Sequence, residues 1–75
     1  VNLSAHEKLQ RALYWTRTVV QHEPAHIVTD QSRGGVVRYF LACRNTVSGG
    51  RTCMYRVVEA QQAHVCVGCV KEVTS

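Results

Sequence analysis

The stretch VVRYFLACRNTVSGGRTCMYRVVEAQQAHVCVGCV, from Val36 to Val70, decides the fold. It holds all four cysteines of the 75-residue chain. Residues 36–44 and 51–60 have the composition of strands, because branched and ring side chains pack well on a pleated, half-buried surface. Between them NTVSGG, residues 45–50, predicts a hairpin loop whose two glycines can take positive φ. EAQQA, residues 59–63, predicts the next reversal, and residues 64–73 a last strand kinked near Gly68.

Working outward, AHIVT at residues 25–29 reads as a further short strand, followed by the breaker-rich turn DQSRGG. Towards the N-terminus the pattern changes to helical. Ser4 and Glu7 have the spacing of a capping box. Leu9, Ala12, Leu13, Thr16 and Val20 recur every three or four residues as an apolar stripe. Pro24 disfavours helical geometry at the residue before it, so the helix should end near Gln21 or His22. Its second half, with Tyr14, Trp15 and Thr18 to Val20, is the more β-prone and the more apolar and should pack hardest on the sheet. One helix followed by four strands predicts a single α+β domain over residues 1–75, with the N-terminal helix packed on a four-stranded antiparallel sheet.

A chain of 75 residues buries only about 60% of its unfolded surface, so a domain this small usually needs a staple. Four cysteines supply one, as the disulfide framework of a secreted protein. The chain starts at Val1, without Met or an apolar signal segment, which reads as a processed, secreted chain. No apolar run approaches the ~20 residues of a membrane span. Nine Lys and Arg against five Asp and Glu give a net charge of +4. These charges are spread along the chain without an RNA-binding motif, so no nucleic-acid partner is expected, only solubility and a general attraction to acidic surfaces.

The cysteines Cys43, Cys53, Cys66 and Cys69 are spaced C-x9-C-x12-C-x2-C. Disulfides are favoured: Cys43 to Cys53 across the hairpin, or Cys53 to Cys66 with Cys43 to Cys69. The pairing stays open. Zinc is the alternative. Only Cys66-Val67-Gly68-Cys69 has the spacing of a metal knuckle, with His64 as a candidate third ligand. The same pair lacks the exposed helix N-terminus of a redox motif, because valines flank it in a predicted strand.

His22-Glu23-Pro24-Ala25-His26 matches H-E-x-x-H in letters, but Pro24 defeats the helix that would put both histidines on one face. His22 and His26 instead flank the expected helix end, where protonated imidazole suits the dipole. With His6 and His64 they predict pH-sensitive contacts. Asn2-Leu3-Ser4 matches a glycosylation acceptor, although Ser4 as a helix cap accounts for it as well. No nucleophile with a base, no phosphate loop and no cofactor motif stands out, and the metal count is expected to be none. Binding is therefore the expected class of activity, not catalysis.

The order of elements, with Gln31-Ser32-Arg33-Gly34-Gly35 ahead of the aromatic run 36–41, resembles the cystatin-like family. That resemblance implies a loop of Gln31, Ser32, Arg33, Gly34 and Gly35 that enters the cleft of a papain-like cysteine protease. By class alone, the composition is also similar to small secreted killer toxins, which implies a second toxin chain as partner. A zinc-binding adaptor module is the third reading.

Overall fold

A computed structural model describes residues 3–48, 54–57 and 64–75. Expectations for Asn2, for Cys53 and for the reversal at 59–63 lie outside these residues.

Helix α1 spans Ala5–Trp15, and Ser4 caps it: its side-chain oxygen accepts the Glu7 N–H at 3.2 Å. The helix stops well short of Pro24. Thr16 is already extended at φ −98° and ψ 134°, while its N–H still reaches the Ala12 carbonyl at 2.8 Å. The β-branched run that follows forms strand β1 (Thr18–Val19). Neither residue has any exposed surface. Tertiary pairing thus overrides the helical spacing of Thr16 and Val20.

Strands β2 (His26–Gln31), β3 (Arg38–Leu41), β4 (Thr46–Ser48) and β5 (Met54–Tyr55) complete a five-stranded sheet. Its order is β4-β3-β2-β1-β5, and all its pairings are antiparallel. The expected α+β class holds, but with five strands and a second helix. Three sequence expectations change. Strand β2 runs on through Asp30 and Gln31, which pair with β3 instead of opening the turn. The turn between β3 and β4 lies at residues 42–45, so Thr46–Ser48 is strand rather than loop. Residues 54–55 pair with β1, not with the arm that precedes them.

Helix α2 (Val67–Thr74) occupies most of what reads as a last strand. Valines in CVGCVKEV suggest a strand, but Leu9, Ala12, Val70 and Val73 all pack on the same core cluster, and the main partner of α2 is α1. The apolar stripe of α1 therefore meets a helix more than the sheet. Leu13, at 2% exposure, is its buried centre. Of the stretch expected to pack hardest, Tyr14 and Trp15 point outward, whereas Thr18 and Val19 are fully buried in the sheet. Among the described residues no helix is long and apolar enough to cross a membrane.

The core is aliphatic: Leu13, Val19, Ile27, Val28, Leu41, Val57 and Val65, with the thiol of Cys69 among them. No aromatic ring is fully buried among the described residues. Thr18 is the one polar intruder, and its hydroxyl has no hydrogen-bond partner among the described residues. A buried hydroxyl without a partner costs about 1–3 kcal/mol. Thr18→Val keeps the shape and removes that cost. Thermal unfolding of the variant is expected to show a gain of about 1 kcal/mol, a rise of roughly 4–8 °C for a domain of this size. A lower melting temperature would mean that the hydroxyl is hydrogen-bonded.

Candidate metal centre

The centre is assembled by backbone hydrogen bonds on both sides of His26, the first residue of β2. On one side, the Ala25 N–H donates to the His64 carbonyl at 2.8 Å and the Cys66 N–H donates to the Ala25 carbonyl at 2.7 Å. They form a parallel bridge between Ala25 and Val65, which lays the approach to α2 along the start of β2. On the other side, the Ala42 N–H donates to the Ile27 carbonyl at 2.8 Å. Cys66 and Cys43 are thereby brought to His26 from two directions, and Cys69 follows one turn into α2.

Cys43 sits in the tight turn that closes β3 onto β4. The Arg44 N–H reaches the Leu41 carbonyl at 2.9 Å and the Leu41 N–H reaches the Asn45 carbonyl at 3.0 Å. Arg44 takes the left-handed conformation at φ 70°, which costs a residue with a Cβ roughly 1–2 kcal/mol. That strain falls on the residue next to Cys43, where the chain must reverse sharply. The Asn45 side-chain amide points its Nδ2 at the Cys43 sulfur, 3.6 Å away.

The four ligand atoms of His26, Cys43, Cys66 and Cys69 lie within 4.8 Å of one another. His26 Nδ1 is 3.8 Å from the Cys43 sulfur and 3.7 Å from the Cys69 sulfur. Zinc bound by thiolates at about 2.3 Å and imidazole at about 2.0–2.1 Å sets tetrahedral ligand atoms roughly 3.5–3.8 Å apart. The two measured separations match the edge of that tetrahedron.

The disulfide framework is overturned by the same geometry. Cys43, Cys66 and Cys69 are free thiols, gathered around an imidazole rather than bonded in pairs. Cys53 lies outside the described residues. A disulfide needs only two sulfurs at one point, whereas a histidine nitrogen facing two thiols is the chemistry of a cation site.

Electrostatics favour ionisation at one thiol and oppose it at another. Cys66 occupies the N-cap position of α2, and the backbone N–H groups of Cys69 and Gly68 facing its sulfur pull its pKa down. Cys69 is fully buried, and loss of water around it pushes its pKa up to about 11, although the N–H groups of Ile27 and Cys43 face its sulfur. Burial, helped by the charge of His22, pulls His26 below its ordinary value, so its ring is neutral and able to bind a metal at pH 7. A divalent cation supplies the charge that a buried Cys69 thiolate otherwise lacks.

The remaining sequence candidates fall elsewhere. His64 is exposed and is not part of the cluster; the histidine is His26. The H-E-x-x-H letters span a bend and the start of β2, not a helix end. Gln31 pairs with Tyr39 inside the sheet. Ser32 closes the β2–β3 connection, where the Arg38 N–H reaches its hydroxyl at 2.8 Å. Arg33, Gly34 and Gly35 form the exposed tip, with φ 80° at Gly34 and 64° at Gly35. Sequence reasoning missed His26 because it stands 17 residues from Cys43 and 43 from Cys69, a spacing no local motif contains. No protein-family model, curated protein or solved structure matches the chain.

Gly68 lies where α2 crosses the Cys43 turn. A Cβ there would stand 3.1 Å from Cys43 Cβ and 3.8 Å from the Cys66 sulfur. Alanine improves helix propensity by up to about 1 kcal/mol, but overpacking costs about 1–3 kcal/mol, so crowding wins. Gly68→Ala is expected to lower the melting temperature and weaken zinc binding in competition with a chelator. Unchanged affinity would show that the two elements yield freely.

The pH dependence has a definite sign. Cys69 is protonated at pH 7 and must lose its proton to bind, while neutral His26 has none to lose. Affinity is therefore greatest at high pH and is lost as pH falls. With at least one proton released, it should weaken ~10-fold or more per pH unit between about pH 8 and 6. A flat profile in a chelator competition would mean that Cys69 is not a ligand.

Proposed function

We propose that the chain is a zinc-binding module in which one ion, held by His26, Cys43, Cys66 and Cys69, locks α2 onto the start of β2 and the Cys43 turn. The observation that carries this reading is the convergence of one imidazole and three thiol ligand atoms within 4.8 Å. Thiolates select soft ions, and a tetrahedral set of sulfur and nitrogen donors suits zinc among the common ones. Four protein ligands close the coordination sphere and leave no position for water or substrate, so the ion is structural rather than catalytic. The small aliphatic core supports the same reading, because a domain of this size commonly draws its stability from such a staple. The module's activity is then binding, with the metal holding the binding surface in shape.

Metal analysis of the chain purified without added chelator is expected to give one zinc per molecule. Removing the metal should abolish cooperative unfolding or lower the melting temperature steeply. His26→Ala should cost more than the roughly 10–100-fold in affinity that loss of a ligand's hydrogen-bond partner costs, whereas His64→Ala should leave binding unchanged. A chain that melts identically with and without chelator, or that contains iron instead, overturns the assignment.

A further inference from the structure

The outward end of α1 forms a second feature, separate from the metal centre. Trp15 is 75% exposed and Tyr14 is 55% exposed. Their rings meet edge to face, with centroids 4.9 Å apart at 74°. The Arg56 guanidinium lies 4.3 Å from the centre of the Tyr14 ring. Shallow grooves border Trp15: Arg17 lines one, Arg11 lines two others, and Lys8 shares one of those with Arg11. The acidic groups on these grooves are Asp30, whose carboxylate already accepts the Gln31 N–H at 2.8 Å, and Glu7. Four cations thus surround an aromatic pair with two acids at its margins.

We propose that this face binds single-stranded nucleic acid, with Trp15 as a base-stacking platform and Lys8, Arg11, Arg17 and Arg56 set for the phosphates. An exposed indole offers a flat apolar surface that any unpaired base can cover, while flanking cations take up the backbone charge; single-strand binders combine these two elements. An acidic peptide would satisfy the cations but offers no flat ring system for the indole. A second copy of the chain, docked symmetrically, would oppose the same four cations to one another. A duplex keeps its base faces stacked away from the indole. The charges look scattered in sequence because Arg56 is far from Arg11 and Arg17; the fold brings Arg56 onto the Tyr14 ring, next to the grooves that Arg11 and Arg17 line with Trp15.

The test uses the zinc-loaded full chain. Trp15 is its single tryptophan, so quenching of intrinsic fluorescence reports this face directly. Oligothymidylate and oligouridylate of about 15 nucleotides are titrated in, beside a matching duplex and an acidic peptide. Expected are quenching by the single strands, affinity that falls steeply between about 50 and 200 mM salt, and a roughly tenfold or greater loss, read by anisotropy of labelled oligonucleotide, in Trp15→Ala. Arg17→Glu should weaken binding and flatten the salt dependence. Circular dichroism and zinc content of both variants, unchanged, separate loss of the face from loss of the fold or metal. The proposal is overturned by absence of quenching, by Trp15→Ala binding as tightly as the parent, by equal or tighter binding of duplex or acidic peptide, or by sedimentation showing a dimer that shields Trp15.

Discussion

Three backbone hydrogen bonds around His26 hold the rest of the molecule in place. Two join Ala25 to residues 64 and 66, and one joins Ile27 to Ala42. They set the start of β2 between two segments remote in sequence, one carrying Cys43 and the other Cys66 and Cys69. A ladder bond fixes where one backbone lies against another, so the side chains next to it converge without needing long or flexible reach. The strained turn at Arg44 and the bare Cα of Gly68 serve the same end, by letting Cys43 and the first turn of α2 come close.

That convergence has a cost that metal-free side chains meet poorly. Cys69 lies fully buried in the core cluster, where its ionised form is disfavoured, yet it faces an imidazole and two further thiols. A cluster of neutral thiols would leave weak hydrogen bonds in a place where aliphatic packing could have been better. In the proposed zinc-bound form, a divalent ion reverses the balance, turning buried thiols into charged ligands and joining three segments with one centre. In a core of branched aliphatics and no buried ring, such a junction weighs heavily, since domains this small bury too little surface to be comfortably stable alone.

The two faces of α1 divide the labour. Leu9, Ala12 and Leu13 turn inward toward the core and α2, while Tyr14 and Trp15 turn to solvent beside Arg56. Large exposed rings are a poor use of apolar surface in a chain short of core, and the proposed binding face gives them a use. The structural staple and the exposed aromatic face thus occupy different parts of the molecule. Changes to one can be made without touching the other.

The sequence by itself determined the α+β class, the capped N-terminal helix with Leu13 inward, and two strands, read at residues 25–29 and 36–44 and found at 26–31 and 38–41. Each of these rests on local physics: a serine that caps, a 3.6-residue apolar period, and β-branched runs bounded by turn residues. The spacing of Cys66 and Cys69 also marked a possible knuckle. Tertiary structure alone decided that valine-rich CVGCVKEV is helical, because its apolar face has α1 to pack on, and that Thr18–Val19 is a central strand, because partners lie on both sides. It alone brought His26 rather than His64 to the thiols, and gathered three free thiols around an imidazole instead of pairing them. The reason is range: ligands 17 and 43 residues apart meet through the sheet's hydrogen bonds, and no local pattern of side chains records where those bonds will fall.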